Sequence, residues 1–372
     1  MHSSFTSQDS KFMALAISQA KSAIYTTRPN PNVGCVIVKE GELLASGYHR
    51  RAGDGHAEVN ALARLDLTQS SGATAYVTLE PCSHTGRTGS CATALIKAKI
   101  ARVVCAMQDP NPLVSGNGFA RLKEAGIEVV VGLMQAEAEQ INLGFIKRMS
   151  QQLPRVTVKL AMSLDGRTAM QSGESQWITG SAARSDVQRL RASSCAIITG
   201  IGSIEQDDSS LTVRTSELDL SVSDADLTLI GQMQPLRVVL DSANKLSKNA
   251  KILQQPGRTL RVISGPVTGD DPDVISLPGT DSRIDLKALL AYLAREESCN
   301  NVLVEAGATL AGSFVDQQLF DQLIVYMAPT ILGASARPLL AIDKDKMQQQ
   351  QRLALIDQQL VGEDIRLTYQ PI

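Results

Sequence analysis

The apolar positions fall into two kinds of pattern that alternate along the chain. Thr6-x-x-Asp9 resembles a capping box. It opens a helix whose apolar residues Phe12, Met13, Ala16, Ile17, Ala20 and Ile24 recur at helical spacing. Cys35–Val38 and Leu43–Ser46 read as paired strands joined at Glu40-Gly41. A helix is expected over Glu58–Arg64, a strand over Ala73–Leu79, and a helix from Cys91. Strand-like Val103–Met107, a helix around Phe119–Ala125, strand-like Ile127–Val131 and one helix over Gln135–Met149 complete this part. Strands alternating with helices indicate a three-layer α/β arrangement.

The polar stretch Ser150-Gln151-Gln152-Leu153-Pro154 divides the chain, which predicts domains at 1–150 and 151–372. The second part restarts with strand-like Arg155–Ala161, then a helix over Ser181–Ala192 and a strand over Ala196–Thr199. Further strands are expected at Arg237–Leu240, Leu260–Ile263, Val302–Glu305, Leu323–Met327 and Ile365–Tyr369. This half is again α/β. The turn Gly200-Ile201-Gly202-Ser203 is not a dinucleotide fingerprint, because Glu205 stands where the third glycine belongs. At Glu305–Ser313 a strand runs into a small-residue turn and a helix start. That turn admits a phosphate, or equally serves tight helix–sheet packing. The Gln348–Gln351 run reads as a solvated loop or helix face.

Composition narrows the possibilities. The chain has 372 residues, 43% hydrophobic and 20% charged, with net charge −2. The charge balance argues against a nucleic-acid binder that works by phosphate neutralisation. No apolar run is long enough to span a bilayer, and the first residues do not form a signal peptide. Six cysteines in a chain this long do not make a disulfide scaffold. Cys35 and Cys105 sit in apolar runs and read as core. A reducing cytoplasm is the simplest home.

Chemistry concentrates between His56 and Cys91. His56, Cys82 and Cys91 supply one imidazole and two thiols, enough to hold zinc with a fourth position open. Glu58 lies two residues from the imidazole and can reach that open position. In hydrolytic deaminases zinc activates a water and a non-ligand Glu moves the protons. Each fragment is weak alone. In this order, spread over two helix starts and a strand, they point to catalysis. A structural zinc knuckle would need a fourth protein ligand, for which His84 is the nearest candidate.

The whole chain resembles the bifunctional deaminase/reductase family of riboflavin biosynthesis. In the first half the resemblance is carried by Pro29-Asn30-Pro31, Val33-Gly34, His49, Ala52-Gly53, His56-Ala57-Glu58-Val59, Pro81-Cys82, His84, Gly86-Arg87-Thr88, Cys91 and Asp109-Pro110-Asn111-Pro112. In the second it is carried by Lys159, Ser163-Leu164-Asp165-Gly166-Arg167, Gly173-Glu174-Ser175, Trp177-Ile178-Thr179, Leu190-Arg191-Ala192, Asp207-Asp208, Leu211-Thr212, Arg214, Glu305 and Gly307. The eight residues between the two cysteines suit this family, whereas other zinc deaminases usually have two.

The resemblance implies a cytidine-deaminase-like fold followed by a dihydrofolate-reductase-like fold. It implies deamination of 2,5-diamino-6-(5-phosphoribosylamino)pyrimidin-4(3H)-one, then NADPH-dependent reduction of the ribosyl group of 5-amino-6-(5-phosphoribosylamino)uracil to ribityl. By position, His56, Cys82 and Cys91 hold one zinc and Glu58 shuttles protons. Ala161, Trp177, Ser203, Asp207, Ser242 and the turn Gly307, Ala308, Thr309, Leu310, Ala311, Gly312, Ser313 would contact NADPH. Ser175, Arg191, Leu211, Arg214 and Glu305 would contact the substrate, with Arg191 and Arg214 gripping its phosphate. A homo-oligomer, dimer or tetramer, without nucleic-acid or membrane partners, is the expected assembly. The chain departs from the family at Gly89-Ser90 (usually Pro-Pro), at Ser209 (usually Pro) and at Lys245 (often Arg). The two alternatives are a nucleoside or nucleic-acid deaminase with an unrelated second half, and a zinc-stabilised module that has lost catalysis. The intact Glu58 speaks against the latter.

Overall fold

The structure, a computed structural model, describes residues 5–83, 89–112 and 114–372. The chain divides into two compact units, Met1–Gln152 and Leu153–Ile372.

Unit one opens with α1 (Ser7–Lys21). Its capping box is present: the Thr6 hydroxyl accepts from the Asp9 N–H at 3.0 Å, and the Asp9 carboxylate accepts from the Thr6 N–H at 2.9 Å. β1 (Gly34–Lys39) and β2 (Glu42–Tyr48) follow, then α2 (Ala57–Leu62), the single turn α3 (Leu67–Ser70), β3 (Thr74–Val77) and α4 (Cys91–Lys97). β4 (Arg102–Cys105), α5 (Asn117–Glu124), β5 (Glu128–Val131), α6 (Gln135–Gln140) and α7 (Leu143–Gln151) complete it. The sheet order is β2-β1-β3-β4-β5. β1 is antiparallel to β2 and β3; β3, β4 and β5 run parallel.

Alternation along the strands sends side chains to both faces, and both are covered. Val36, Val38, Tyr76 and Val104 pack with Phe12, Met13, Ala16 and Ile17. Cys35, Ile37, Ala75, Val77 and Val103 pack with Ala57, Ala61, Ala92, Leu95 and Leu122. This second face carries α2 and α4, which bear the His and Cys ligand candidates. Gly47 lets α2 approach β2: a Cβ there would lie 2.5 Å from the Ala61 nitrogen and 2.6 Å from the Ala57 oxygen.

The single helix expected over Gln135–Met149 is two helices, broken at Ile141 and Asn142. The Asn142 side chain explains the break. Its Oδ1 accepts from the Asn32 N–H at 2.8 Å, and its Nδ2 donates to the Asn32 carbonyl at 2.9 Å. This tie also anchors the Pro29–Gly34 segment, so that segment is more than a plain connection.

Unit two contains β6 (Arg155–Ser163), β7 (Arg167–Ala169), α8 (Ser181–Ala192), β8 (Ala196–Gly200), α9 (Ile201–Asp207), α10 (Asp224–Gln232), β9 (Leu236–Leu240) and β10 (Thr259–Ile263). Then come β11 (Val274–Ser276), α11 (Leu286–Arg295), β12 (Asn301–Glu305), α12 (Ala308–Asp316), β13 (Gln322–Ala328), β14 (Arg337–Pro338), β15 (Leu353–Val361) and β16 (Asp364–Pro371). The nine-stranded sheet has the order β11-β10-β9-β8-β12-β6-β13-β16-β15. It is parallel from β11 through β13, and antiparallel at β13/β16 and β16/β15. Val156, Val158, Leu160, Val302 and Val304 share one core with Leu289, Leu293 and Phe314. Parallel strands place their carboxyl ends together, and Ala161, Gly200 and Glu305 lie at that edge.

Candidate active sites

In unit one, His56 is the N-cap residue of α2 and Glu58 stands in its first turn. Cys91 is the first residue of α4. Ser90 caps that helix: its Oγ accepts from the Thr93 N–H at 3.3 Å and donates to the Cys82 carbonyl at 2.8 Å. One side chain thus starts the helix and ties the two cysteine segments together.

The ligand atoms of His56, Cys82 and Cys91 all lie within 4.8 Å of one another. His56 Nδ1 is 3.2 Å from Cys91 Sγ and 3.6 Å from Cys82 Sγ. The Cys91 N–H donates to Cys82 Sγ at 3.3 Å. Hydrogen bonding with the Cys91 thiol, helped by His56, holds the Cys82 thiol down at about 4. The same pairing, with burial, pushes Cys91 up. Hydrogen bonding to Cys82 raises the His56 imidazolium. Three converging soft and borderline donors suit zinc. Glu58 is 2% exposed, and burial raises its carboxyl pKa, which suits a group that takes up and releases a proton. His84, Gly86, Arg87 and Thr88 lie outside the described residues.

Behind the ligands stands a layer whose roles are not visible in sequence. The His49 ring packs edge-on to His56 with centroids 5.1 Å apart. His49 Nδ1 lies 3.1 Å from the Gly55 carbonyl and Nε2 3.0 Å from Asn30 Nδ2, and burial lowers its pKa. A neutral imidazole donating through Nδ1 and accepting at Nε2 satisfies both contacts. The buried Glu80 carboxylate accepts from the backbone N–H groups of Asp109, Gly116 and Gly118 at 3.2, 3.0 and 2.9 Å. It clamps the segment after β4 against the strand end that leads to Cys82.

In unit two, the carboxyl edge of the sheet bounds two adjoining cavities. The first, about 450 Å³, is lined by Ala161, Ser175, Trp177, Arg191, Ser203, Asp207, Leu211, Arg214, Glu305, Gly307 and Ala308. The second, about 990 Å³, is lined by Ser203, Ser242, Gly307, Ala308, Thr309, Leu310 and Ser313. Ser203, Gln206, Gly307, Ala308 and Arg337 are common to both, so the cavities share a wall. Ser203 Oγ accepts from the Gly307 N–H at 3.3 Å, which fixes the small-residue turn.

Two expected cofactor residues take a different place. Ala311 is fully buried, and Gly312 backs onto Ala341, whose oxygen a Cβ would meet at 2.9 Å. Both lie on the inward face of α12 and line neither cavity, which corrects the expectation that the whole Gly307–Ser313 turn faces a ligand. The helical period turns that face to the core.

Trp177 is 69% exposed, with the Arg184 guanidinium 4.6 Å from its ring centroid. Lys159 is one of the residues that carry the family resemblance. It lines the first cavity with Nζ 3.8 Å from Glu305, and burial lowers its ammonium pKa. Its place in a β-strand that ends at the cavity is a tertiary fact that the sequence does not display.

The geometry therefore defines a zinc-type deaminase centre in one unit and a cleft at the carboxyl edge of a parallel sheet in the other. Comparison with known proteins agrees with both. The model of the cytidine and deoxycytidylate deaminase zinc-binding region matches residues 6–107, and that of the RibD C-terminal domain matches residues 154–367. The riboflavin biosynthesis protein RibD of Escherichia coli (strain K12) is 50% identical over 338 residues, covering 90% of this chain and 91% of that protein. That of Haemophilus influenzae is 46% identical over 372 residues, covering 99% and 98%. The structure of Acinetobacter baumannii RibD, form 1, superposes with a TM-score of 0.90 at 48% identity, covering 98% of this chain and 99% of that one. A Thermotoga maritima diaminohydroxyphosphoribosylaminopyrimidine deaminase/5-amino-6-(5-phosphoribosylamino)uracil reductase superposes at 0.84 with 28% identity, with the same coverage. The chain is a bifunctional deaminase and reductase, with a cytidine-deaminase-like first fold and a dihydrofolate-reductase-like second. It belongs to the RibD family of riboflavin biosynthesis proteins.

Proposed function

We propose that unit one hydrolytically deaminates 2,5-diamino-6-(5-phosphoribosylamino)pyrimidin-4(3H)-one and that unit two reduces the ribosyl group of the resulting uracil to ribityl with NADPH. The observation that carries this reading is the convergence of His56, Cys82 and Cys91 beside the buried Glu58. His56, Cys82 and Cys91 would hold the metal. Zinc, when bound, supplies Lewis acidity and a water that ionises near neutral pH. Glu58 takes one proton from the attacking water and delivers it to the ring nitrogen, then takes the remaining proton from the hydroxyl of the adduct and delivers it to the amino group, which departs as ammonia while the carbonyl forms. Its burial keeps this transfer away from bulk solvent.

NADPH supplies a hydride when bound. The first cavity, with Trp177, Ser175, Lys159 and Glu305, receives the reacting ends of both molecules, and the second receives the rest of the dinucleotide. Ser203 and the Gly307-Ala308 turn stand at the shared wall. There, the start of α12 suits the diphosphate. Arg214 is the exposed cation assigned to the substrate phosphate, with Arg191 behind it. The deaminase is assigned to residues 1–150 and the reductase to 151–372. Among the described residues no helix is long and apolar enough to cross a membrane. A cytoplasmic location is part of this reading. A homo-oligomer, dimer or tetramer, is part of this reading.

The test is incubation with the diaminopyrimidine ribotide, with and without NADPH, followed by product mass. The expected result is deamination alone without NADPH, and deamination plus two hydrogens with it. Turnover of cytidine or tRNA in place of the ribotide would overturn the substrate assignment.

A further inference from the structure

We propose that Arg283 reads the 2′-phosphate of NADPH and so sets the choice of the phosphorylated over the unphosphorylated dinucleotide. This rests on the reductase reading above. If the reacting end occupies the first cavity, the adenosine end lies in the second, beyond the wall formed by Ser203, Gly307 and Ala308. The turn from Pro278 to Asp285 lines the second cavity and not the first. That turn is held from both sides. Pro278 and Ile284 form an isolated bridge, the Gly279 N–H donates to the Arg283 carbonyl at 2.8 Å, and the Arg283 N–H donates to the Thr280 carbonyl at 3.0 Å. The backbone of Arg283 is therefore fixed, while its side chain is exposed.

Charge singles this residue out. The cations lining the second cavity are Arg283 and Arg337. Arg337 also lines the first cavity and donates to Gln206 Oε1 at 2.8 Å, so it belongs to the junction. Arg283 lines the second cavity only, and among the described residues no carboxylate pairs with its guanidinium. Of the arginines lining the first cavity, Arg191 and Arg214 have their forks on Glu305 and Glu217, and Arg184 lies against the Trp177 ring and donates to the Thr179 carbonyl. An unengaged guanidinium fork matches a phosphate by two parallel hydrogen bonds. A ribose hydroxyl would use only one of them.

The neighbouring carboxylates sharpen the dependence. Asp281 and Asp285 belong to the same turn, and Asp285 Oδ1 accepts from the Ala288 N–H at 2.9 Å as the cap of α11. Without Arg283 the turn would present two negative charges to a phosphate and no positive one. NADH lacks that phosphate and would feel little change.

The experiment is calorimetric titration of the full chain with NADPH, NADH and adenosine 2′,5′-bisphosphate. In Arg283→Gln, NADPH and the bisphosphate should weaken roughly 10- to 100-fold, while NADH stays within about twofold. Retained NADH binding reports that the variant is folded. Arg337→Gln should weaken NADPH and NADH alike, and Asp281→Asn should tighten NADPH alone. Equal weakening of NADPH and NADH in Arg283→Gln, or no change in either, overturns the assignment. Wild-type protein that binds neither dinucleotide would overturn the reductase reading itself, and this assignment with it.

Discussion

Arg191 and Glu305 meet fork to fork: Nε lies 2.6 Å from Oε1 and Nη2 lies 3.0 Å from Oε2. Nη1 donates to the Thr212 carbonyl at 3.1 Å. Both side chains are largely buried, so this pair is part of the cavity wall before any ligand arrives. Burial opposes ionisation of Glu305, but Arg191 outweighs it and holds the carboxyl below its usual range. Removing Glu305 leaves a buried guanidinium without its carboxylate, and removing Arg191 leaves Glu305 with only Lys159, at 3.8 Å. Arg191→Ala is expected to cost ~3–5 kcal/mol of stability, and the Arg191→Met/Glu305→Leu double variant much less. Denaturant midpoints for both singles and the double test this. A single variant as stable as wild type would show that the pair has no structural role.

Glu58 separates metal holding from proton transfer. It lies beside the ligand cluster but is not a member of it. Glu58→Gln keeps the shape and removes the acid–base function. The variant is expected to retain about one zinc per chain, to lose deamination, and to keep NADPH-dependent reduction. Metal analysis and separate assays of the two steps check this. Loss of zinc from the variant would make Glu58 a ligand.

Arg214 pairs with Glu217 at 2.5 and 2.8 Å, but this pair is exposed and three residues apart. Solvent screens it, so Arg214→Ala should change stability by less than ~1 kcal/mol. Its effect should appear on the ribotide instead, where losing a charge-assisted contact raises KM roughly 10- to 150-fold. NADPH binding should stay near wild type. A variant that binds NADPH poorly and leaves the ribotide KM unchanged would reverse the assignment of the two ligands.

What was legible follows from how local each feature is. The Thr6/Asp9 cap, the apolar strands and the His56–Glu58 spacing are written within a few residues. The split of the expected 135–149 helix was not, because its cause is Asn142 bonding Asn32 110 positions away. Nor was the commitment of Arg191, whose partner lies 114 positions along. β15 was missed for another reason. It is an edge strand with Leu355 and Leu360 exposed, and a bulge between Leu355 and Asp357 interrupts its alternation. The inward turn of Ala311 and Gly312 is a matter of helical phase, which a motif written as a run of seven does not resolve.

Asp9 should give the deaminase unit a measurable acid sensitivity. Its carboxylate accepts from Arg102 Nη1 at 2.7 Å, from the Tyr76 hydroxyl at 2.8 Å and from the Thr6 N–H at 2.9 Å. Burial alone would raise its pKa. The hydrogen bonds from Arg102, Thr6 and Tyr76 together outweigh it and hold the carboxyl well below the usual range. A depressed folded pKa contributes stability that is complete above the unfolded value of about 4 and is lost as pH falls toward the folded one. Asp9→Asn removes that contribution and leaves Arg102 with Glu128 at 3.5 Å as its remaining carboxylate. The variant should therefore be less stable at pH 7 by about 1.5–3 kcal/mol, and the gap should narrow steadily below pH 4. Urea unfolding of both proteins between pH 7 and pH 3 gives the difference directly. Acid release of zinc and titration of the other carboxylates act on both and cancel in it. A gap that stays constant across that range would mean that Asp9 acts through shape and not through its charge.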